Sequence, residues 1–173
     1  MDRNEDCTRI APALYVGSLS AAHDAELMRK RRIRGILSLH ATWSELRSKV
    51  SHRTVLLDDG DVNDRELLLS AVYTLNDLLA DPSTRPVFVH CKAGSSRAPL
   101  LAATILALRN ETEIGYELAA IAVKRRIVPH PGLLADFEDL RREVGWLPGG
   151  DLRGGVRSRI RRAVARVHVP HFA

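Results

Sequence analysis

Near the middle of the chain, the segment Val87-Phe-Val-His-Cys-Lys-Ala-Gly-Ser-Ser-Arg-Ala-Pro99 holds a thiol, Cys91, and a guanidinium, Arg97, six positions apart. Val87–Val89 reads as a short buried strand of the parallel kind. The apolar run from Ala98 to Leu108 reads as a helix beginning at about Arg97. HCKAGSSR is therefore a loop between a strand end and a helix start. Such a loop turns successive backbone N–H groups toward one point, and the helix N-terminus adds positive potential. Together they make an anion cradle suited to phosphate. The same groups stabilise a thiolate, so Cys91 is expected to ionise below the ordinary ~8.5. Arg97 can fold back over the cradle and hold two phosphate oxygens at once, a geometry that lysine cannot match. Gly94 lets the loop close without a side-chain clash. The competing reading is an inert cysteine in a turn. His90 before the thiol, Gly94 after it and the strand-to-helix context argue against that.

The remaining elements must bring partners to this loop. Ile10–Leu19 reads as a strand turning at Gly17, and Ala21–Arg32 as a helix. Ile36–Leu39 and Thr54–Leu57 read as strands, and the acidic stretch Asp58–Asp64 as a loop. Leu68, Val72, Leu75 and Leu79 recur at helical spacing in Arg65–Ala80, which Asp81-Pro82 stops. Two more helices are expected over Ile114–Arg125 and Leu133–Val144. Strands alternating with helices imply a single α/β domain with a central, mostly parallel sheet flanked by helices. Gly145, Pro148, Gly149 and Gly150 mark its end. The domain is thus expected to occupy residues 1–150, followed by a tail at 151–173.

Charge divides the same way. The net charge of the 173 residues is +5, but the tail holds six arginines and one acid, leaving residues 1–150 with 20 basic and 20 acidic residues. A pI near 9.7 therefore describes the tail, and DNA is not an expected partner. Hydrophobic content of 45% and charged content of 27% are those of a globular protein rather than a disordered or collagen-like chain. Cys7 and Cys91 are the two cysteines and form no CxxC pair, so neither a zinc ribbon nor a thioredoxin site is expected, and no spacing supports a disulfide between them. The polar start Met1–Asp6 does not read as a signal peptide, and a reducing cytoplasm is the expected setting.

The segment His90–Arg97 resembles the HCx5R signature of the cysteine-dependent protein tyrosine phosphatases. The stretch Ile10–Ser18 (IAPALYVGS) is similar to the opening strand of their dual-specificity branch. Gly35–Leu39 is similar to the next strand, and Arg126–Pro131 to the basic-proline segment before the last helix. The resemblance implies a dual-specificity phosphatase-like domain. Cys91 would attack phosphorus, while Arg97 and the amides of Lys92, Ala93, Gly94, Ser95, Ser96 and Arg97 stabilise the equatorial oxygens. A phosphocysteine forms and is hydrolysed. Neither cofactor nor metal is implied, since arginine and the amide ring supply the charge compensation.

The resemblance also implies a general acid in the Asp58–Asp64 loop, roughly thirty residues ahead of the cysteine. Asp58, Asp59 and Asp61 all qualify, and matching Leu69 and Val72 to the family's inward helix positions favours Asp59. Asp64 could instead cap the following helix. Ala98 stands where the family usually has a serine or threonine that assists the departing thiolate, so a slow second step is expected. The hydroxyls of Ser95 and Ser96 are expected to face solvent or substrate. His130 stands where many relatives carry a supporting asparagine; it either takes over that hydrogen bond or lies on the surface. His90 is expected to hold the loop's backbone.

Substrate class stays open at this stage. Phosphotyrosine, or phosphoserine and phosphothreonine, in a protein is the leading expectation. Lys92 also occurs at this place in relatives acting on phosphoinositides and phospholipids. The alternatives are an RNA 5′-triphosphatase and a weakly active phosphate-binding protein. In the tail, Leu152, Val156, Ile160, Val164 and Val167 recur every three or four positions among Arg153, Arg157, Arg159, Arg161, Arg162 and Arg166. As a helix, weakened in its first turn by Gly154-Gly155, this would be amphipathic and basic, fit for an anionic membrane, an acidic partner or RNA; the competing reading is a solvated extension that packs one apolar stripe on the domain itself.

Overall fold

Alternation along three short strands decides how the chain layers. Successive side chains leave opposite faces of a strand. Leu14, Val16, Leu37, Val87 and Val89 join one apolar cluster, whereas Tyr15, Ile36 and Phe88 join another. All are buried, so the sheet they form is covered on both faces. The computed structural model of the protein describes residues 6–40, 50–60 and 63–144.

Among the described residues, five strands form one sheet: β1 (Cys7–Ala11), β2 (Leu14–Gly17), β3 (Gly35–Ser38), β4 (Ser51–Thr54) and β5 (Val87–His90), in the order β1-β2-β5-β3-β4. The β1–β2 pair is antiparallel; β2–β5, β3–β5 and β3–β4 are parallel. The smaller cluster lies under α1 (Leu19–His23) and α2 (Ala25–Lys30), through Ala21, Ala22, Leu27 and Met28. The larger face is covered by α3 (Arg65–Ala80), α4 (Arg97–Asn110), α5 (Ile114–Ala122) and α6 (Pro131–Val144). Helix α4 is buried along almost its whole length, in keeping with its apolar sequence on every side.

Register places the site. Gly17 and Ser38 both pair with His90, so β2, β5 and β3 finish level with one another. The chain leaves β2 for a helix on one face and β5 for a helix on the other. A crevice at the carboxyl ends of such strands is where open α/β sheets bind ligands.

The layered α/β domain with a mostly parallel sheet is as the sequence leads one to expect; several boundaries differ. The opening segment is two strands rather than one. Pro12, which has no N–H to give a ladder, makes the corner, and Arg9 Nη2 donates to its carbonyl at 3.0 Å. Gly17 is then the last residue of β2 rather than a turn. The helix expected over Ala21–Arg32 is split at Asp24, whose extended backbone (φ −83°, ψ 92°) lets its carboxylate accept the Leu27 N–H at 2.8 Å. The strand expected at Thr54–Leu57 lies three residues earlier; Val55 and Leu57 still donate to the Ser38 and Leu39 carbonyls. Helix α5 stops at Ala122 rather than Arg125, and α6 starts at Pro131, as proline at a first helical position favours. The tail 151–173, the proposed boundary at 145–150 and Asp61 lie outside the described residues.

Candidate active site

The loop Cys91–Ser96 is held by its own carbonyls. Lys92 O accepts from Leu19 N at 3.0 Å, and Ser95 O accepts from Val128 N at 2.7 Å. In a trans peptide the next N–H points opposite to the carbonyl. Turning these two carbonyls outward therefore aims the amides of Ala93 and Ser96 inward. Ser96 occupies the N-cap of α4 but makes no side-chain cap, because its Oγ accepts the His130 N–H at 3.0 Å instead. The first amides of α4 are thus not taken by a capping side chain, which suits them to an anion.

Two glycines make the close approach possible. Gly94 has φ +70°, and a Cβ there would sit 2.5 Å from the backbone of Gly17 and 2.7 Å from Arg125 Nη2. A Cβ on Gly17 would in turn strike the Asp6 carbonyl and the Phe88 ring. Arg125 is buried and donates through Nη1 to Val16 O at 2.6 Å, tying the end of β2 to the underside of the loop. On the loop's outer side, Asp6, Ala93, Ser95, Arg125, Arg126 and Val128 line a cavity of about 350 Å³.

Cys91 is 2% exposed at the base of the loop, and Arg97 is 8% exposed at its far end. Arg97 Nη1 donates to Leu57 O at 3.0 Å and to Leu39 O at 3.4 Å, so the segments after β3 and β4 clamp one edge of the guanidinium. Its Nε is buried, has no hydrogen-bond partner, and lies 3.9 Å from Asp59 Oδ2. A buried N–H left unpaired costs free energy that an arriving phosphate oxygen would recover.

The structure brings Asp59, with its side chain 45% exposed, to the arginine. Asp58 is exposed and donates its N–H to Asn63 Oδ1 at 2.7 Å; Asn63 Nδ2 returns to Asp58 O at 3.1 Å and to Gly60 O at 3.4 Å. Asn63 thus knots the acidic loop. Asp64 takes the N-cap position of α3 through its carbonyl alone, without a side-chain cap.

Other expected site residues sit as follows. Lys92 and Ala93 are exposed on the loop and Ser95 is half-buried. Ser96 is 4% exposed, so its hydroxyl faces the protein rather than solvent. His130 supports the loop with its backbone N–H, while its imidazole Nδ1 is buried without a hydrogen bond. His90 is fully buried and stacks on Phe88, with ring centroids 5.7 Å apart. Its Nδ1 lies 3.4 Å from Cys91 O and its Nε2 has no partner, so it makes one long contact rather than a network. Burial lowers its pKa from 6.5 to about 4. Cys7 and Cys91 are free thiols in the two different apolar clusters, on opposite faces of the sheet. Burial raises the Cys7 thiol to about 11, an unreactive environment.

The chain is 30% identical over 130 residues to the dual specificity protein phosphatase 19 of Mus musculus, a match covering 72% of this chain. The chain belongs to the dual-specificity branch of the cysteine-dependent protein tyrosine phosphatase superfamily. It spans 57% of the length of that curated relative. No protein-family model matches it. The crystal structure of DUSP15 superimposes with a TM-score of 0.70 at 18% identity, covering 92% of this chain and 96% of that one. The structure of PTPMT1 in complex with PI(5)P gives 0.66 at 20% identity, over 80% of this chain and 96% of that one. Against the family pattern, Ala98 is fully buried and puts a methyl where a hydroxyl is usual.

Sequence reasoning missed the backbone acceptors Leu39 and Leu57, the knot made by Asn63, and Arg125. Only Asn63 left a signal, as an asparagine closing an acidic, glycine-containing loop. Arg125 reads as one more cation in a basic stretch, since nothing local says that it turns inward.

Proposed function

We propose that the chain is a phosphatase that hydrolyses phosphomonoesters of proteins, phosphotyrosine and phosphoserine or phosphothreonine, through a phosphocysteine. The observation that carries this reading is the unpaired Arg97 Nε, buried at the rim of the Cys91 loop with Asp59 opposite it at 3.9 Å. Phosphate oxygens would take the place that the carboxylate now shares. Cys91 Sγ attacks phosphorus in line, forming an S–P bond while the P–O bond to the substrate breaks. The Asp59 carboxyl gives its proton to the leaving oxygen. The inward amides and Arg97 hold the three equatorial oxygens, which is where charge develops. In the second step Asp59, now a carboxylate, takes a proton from water as it attacks phosphorus, and the S–P bond breaks. With Ala98 rather than a hydroxyl beside the departing thiolate, this step is the slower one. Two free thiols accord with a reducing compartment such as the cytoplasm. Among the described residues no helix is long and apolar enough to cross a membrane.

A second reading has its own observation. Lys92 is exposed on the loop, beside the site, and PTPMT1, of similar fold, was crystallised with PI(5)P. A phosphoinositide headgroup is therefore the alternative substrate. A panel of phosphotyrosine peptide, phosphoserine peptide, phosphoinositide and RNA 5′-triphosphate separates these readings. Phosphate release is expected from the phosphopeptides, preceded by a burst of dephosphorylated peptide as the phosphocysteine accumulates, and Cys91→Ser should lower it by on the order of 10⁵-fold. Release that survives the substitution refutes the mechanism.

A further inference from the structure

We propose that the outer face of α5 is the docking surface for this chain's own residues 152–167. The helix is apolar on all sides. Its one charged residue, Glu117, is buried and accepts from Asn110 Nδ2 at 3.0 Å and Thr112 Oγ1 at 2.6 Å. Ile114, Leu118 and Ile121 face the core. On the other side Tyr116 is 69% exposed, and Val123, the residue after the helix, is 89% exposed. Ala119 and Ala120 between them are exposed, and the space around Gly115 is open. A helix apolar all round is ordinarily covered all round. Small residues at 115, 119 and 120 suit this face to the close approach of a second helix.

The chain supplies a matching strip. On a helical wheel Leu152, Val156, Ile160, Val164 and Val167 fall within an arc of about 120°, with most of the arginines outside it. The path is short as well. Arg141, in the last turn of α6, pairs with Glu113, which immediately precedes α5. The chain therefore leaves α6 next to the start of α5. Residues 145–151 can span up to about 24 Å, enough to set Leu152 at that end. Sixteen helical residues would run about 24 Å, against about 14 Å for α5. Docked along α5, the segment would reach the stretch 123–128, where Val128 is 59% exposed. Glu111, exposed at the near end, complements Arg153 and Arg157, the arginines closest to it, while Glu113 beside it is paired with Arg141. The stretch 125–130 braces the catalytic loop through Arg125, Val128 and His130, so the docked segment would rest on that brace.

Trypsin digestion of the full chain tests this, because the segment offers six arginines. Tyr116→Gln with Val123→Gln removes the apolar face at two exposed positions, and a thermal unfolding scan checks that the domain is intact. Cleavage at Arg157, Arg161 and Arg162 is expected to be about tenfold faster in the double variant, as the undocked population grows. Equal rates overturn the proposal. So does protection that arises only with phosphatidylserine vesicles and equally in both proteins, which would assign the strip to a lipid surface. Cysteine pairing gives an independent readout. Val123→Cys should form an intrachain disulfide with Ile160→Cys and not with Ser158→Cys, on the other side of the wheel. Cross-links only between two chains, or none, overturn it as well.

Discussion

The two loops that meet over Arg97 are built on opposite principles. The Cys91–Ser96 loop is locked from beneath by Gly17 and Arg125, and from the sides by Leu19, Val128 and His130. In the Asp58–Asp64 loop, Asp58, Asp59 and Asp64 are exposed, Asn63 ties Asp58 to Gly60, and among the described residues Asp59 brings a carboxylate to 3.9 Å from Arg97. The difference follows from the work asked of each. An anion seat made of amides stabilises developing charge only if its dipoles are already in place, so it repays rigidity. An acid that donates a proton and later accepts one needs to approach and withdraw, and few buried contacts leave it free to do so. Changes in the first loop should therefore damage both catalysis and folding, and changes in the second should damage catalysis alone.

The largest effect expected is at the arginine. Arg97→Lys keeps the charge but loses the fork, of which Nη1 is tied to Leu57 and Leu39 while Nε is left for substrate. On the order of 10³-fold should be lost from kcat/KM for a phosphopeptide. A loss below tenfold would mean that charge alone suffices and the seat is not preorganised. Next comes a stability effect beside the same loop. Burial holds His90 neutral, with its pKa near 4 rather than 6.5. As pH falls below 6.5 the unfolded chain takes up a proton that the folded chain refuses until about 4. The associated stability is complete above pH 6.5 and lost on descent toward 4, about 3 kcal/mol in all. His90→Phe removes this dependence. The stability of the parent relative to the variant, read by urea denaturation, should fall by about 2–3 kcal/mol between pH 7 and 4.5. A gap that stays constant would show that the imidazole titrates as though exposed.

What was legible in the sequence follows the same division. Val87–Val89 and Ala98–Leu108 are continuous apolar runs, so strand, loop and helix around Cys91 read directly from pattern. Arg65–Ala80 is bounded as the periodicity says, because Asp81-Pro82 allows no continuation. The misreadings fall where a single polar contact overrides a run. Asp24 caps a new helix inside an apparently continuous one, and Pro12 splits an apparent strand. Partners distant in sequence were invisible. Ser96 turns inward because the His130 N–H meets it, and Arg97 is clamped by carbonyls 58 and 40 positions away. No local spacing encodes those meetings.

The two smallest effects probe the exposed loop. Asp59→Asn should lower kcat/KM, which reports the first step, about 10²-fold for a phosphoserine peptide, whose alkoxide leaves poorly. It should lower kcat/KM far less for p-nitrophenyl phosphate, while Asp58→Asn stays within about threefold on both. Equal losses for the two aspartates would break the assignment, since only Asp59 reaches Arg97 among the described candidates. Asn63→Ala is the finer test of the comparison. It unties the exposed Asp58 N–H and carbonyl and the part-buried carbonyl of Gly60, and water can replace the two exposed bonds. Its cost in stability should be about 1 kcal/mol or less, while kcat for the phosphoserine peptide falls about fivefold because Asp59 is then poorly aimed. If stability drops by several kcal/mol instead, the acidic loop is a structural brace like the thiol loop, and the contrast between the two fails.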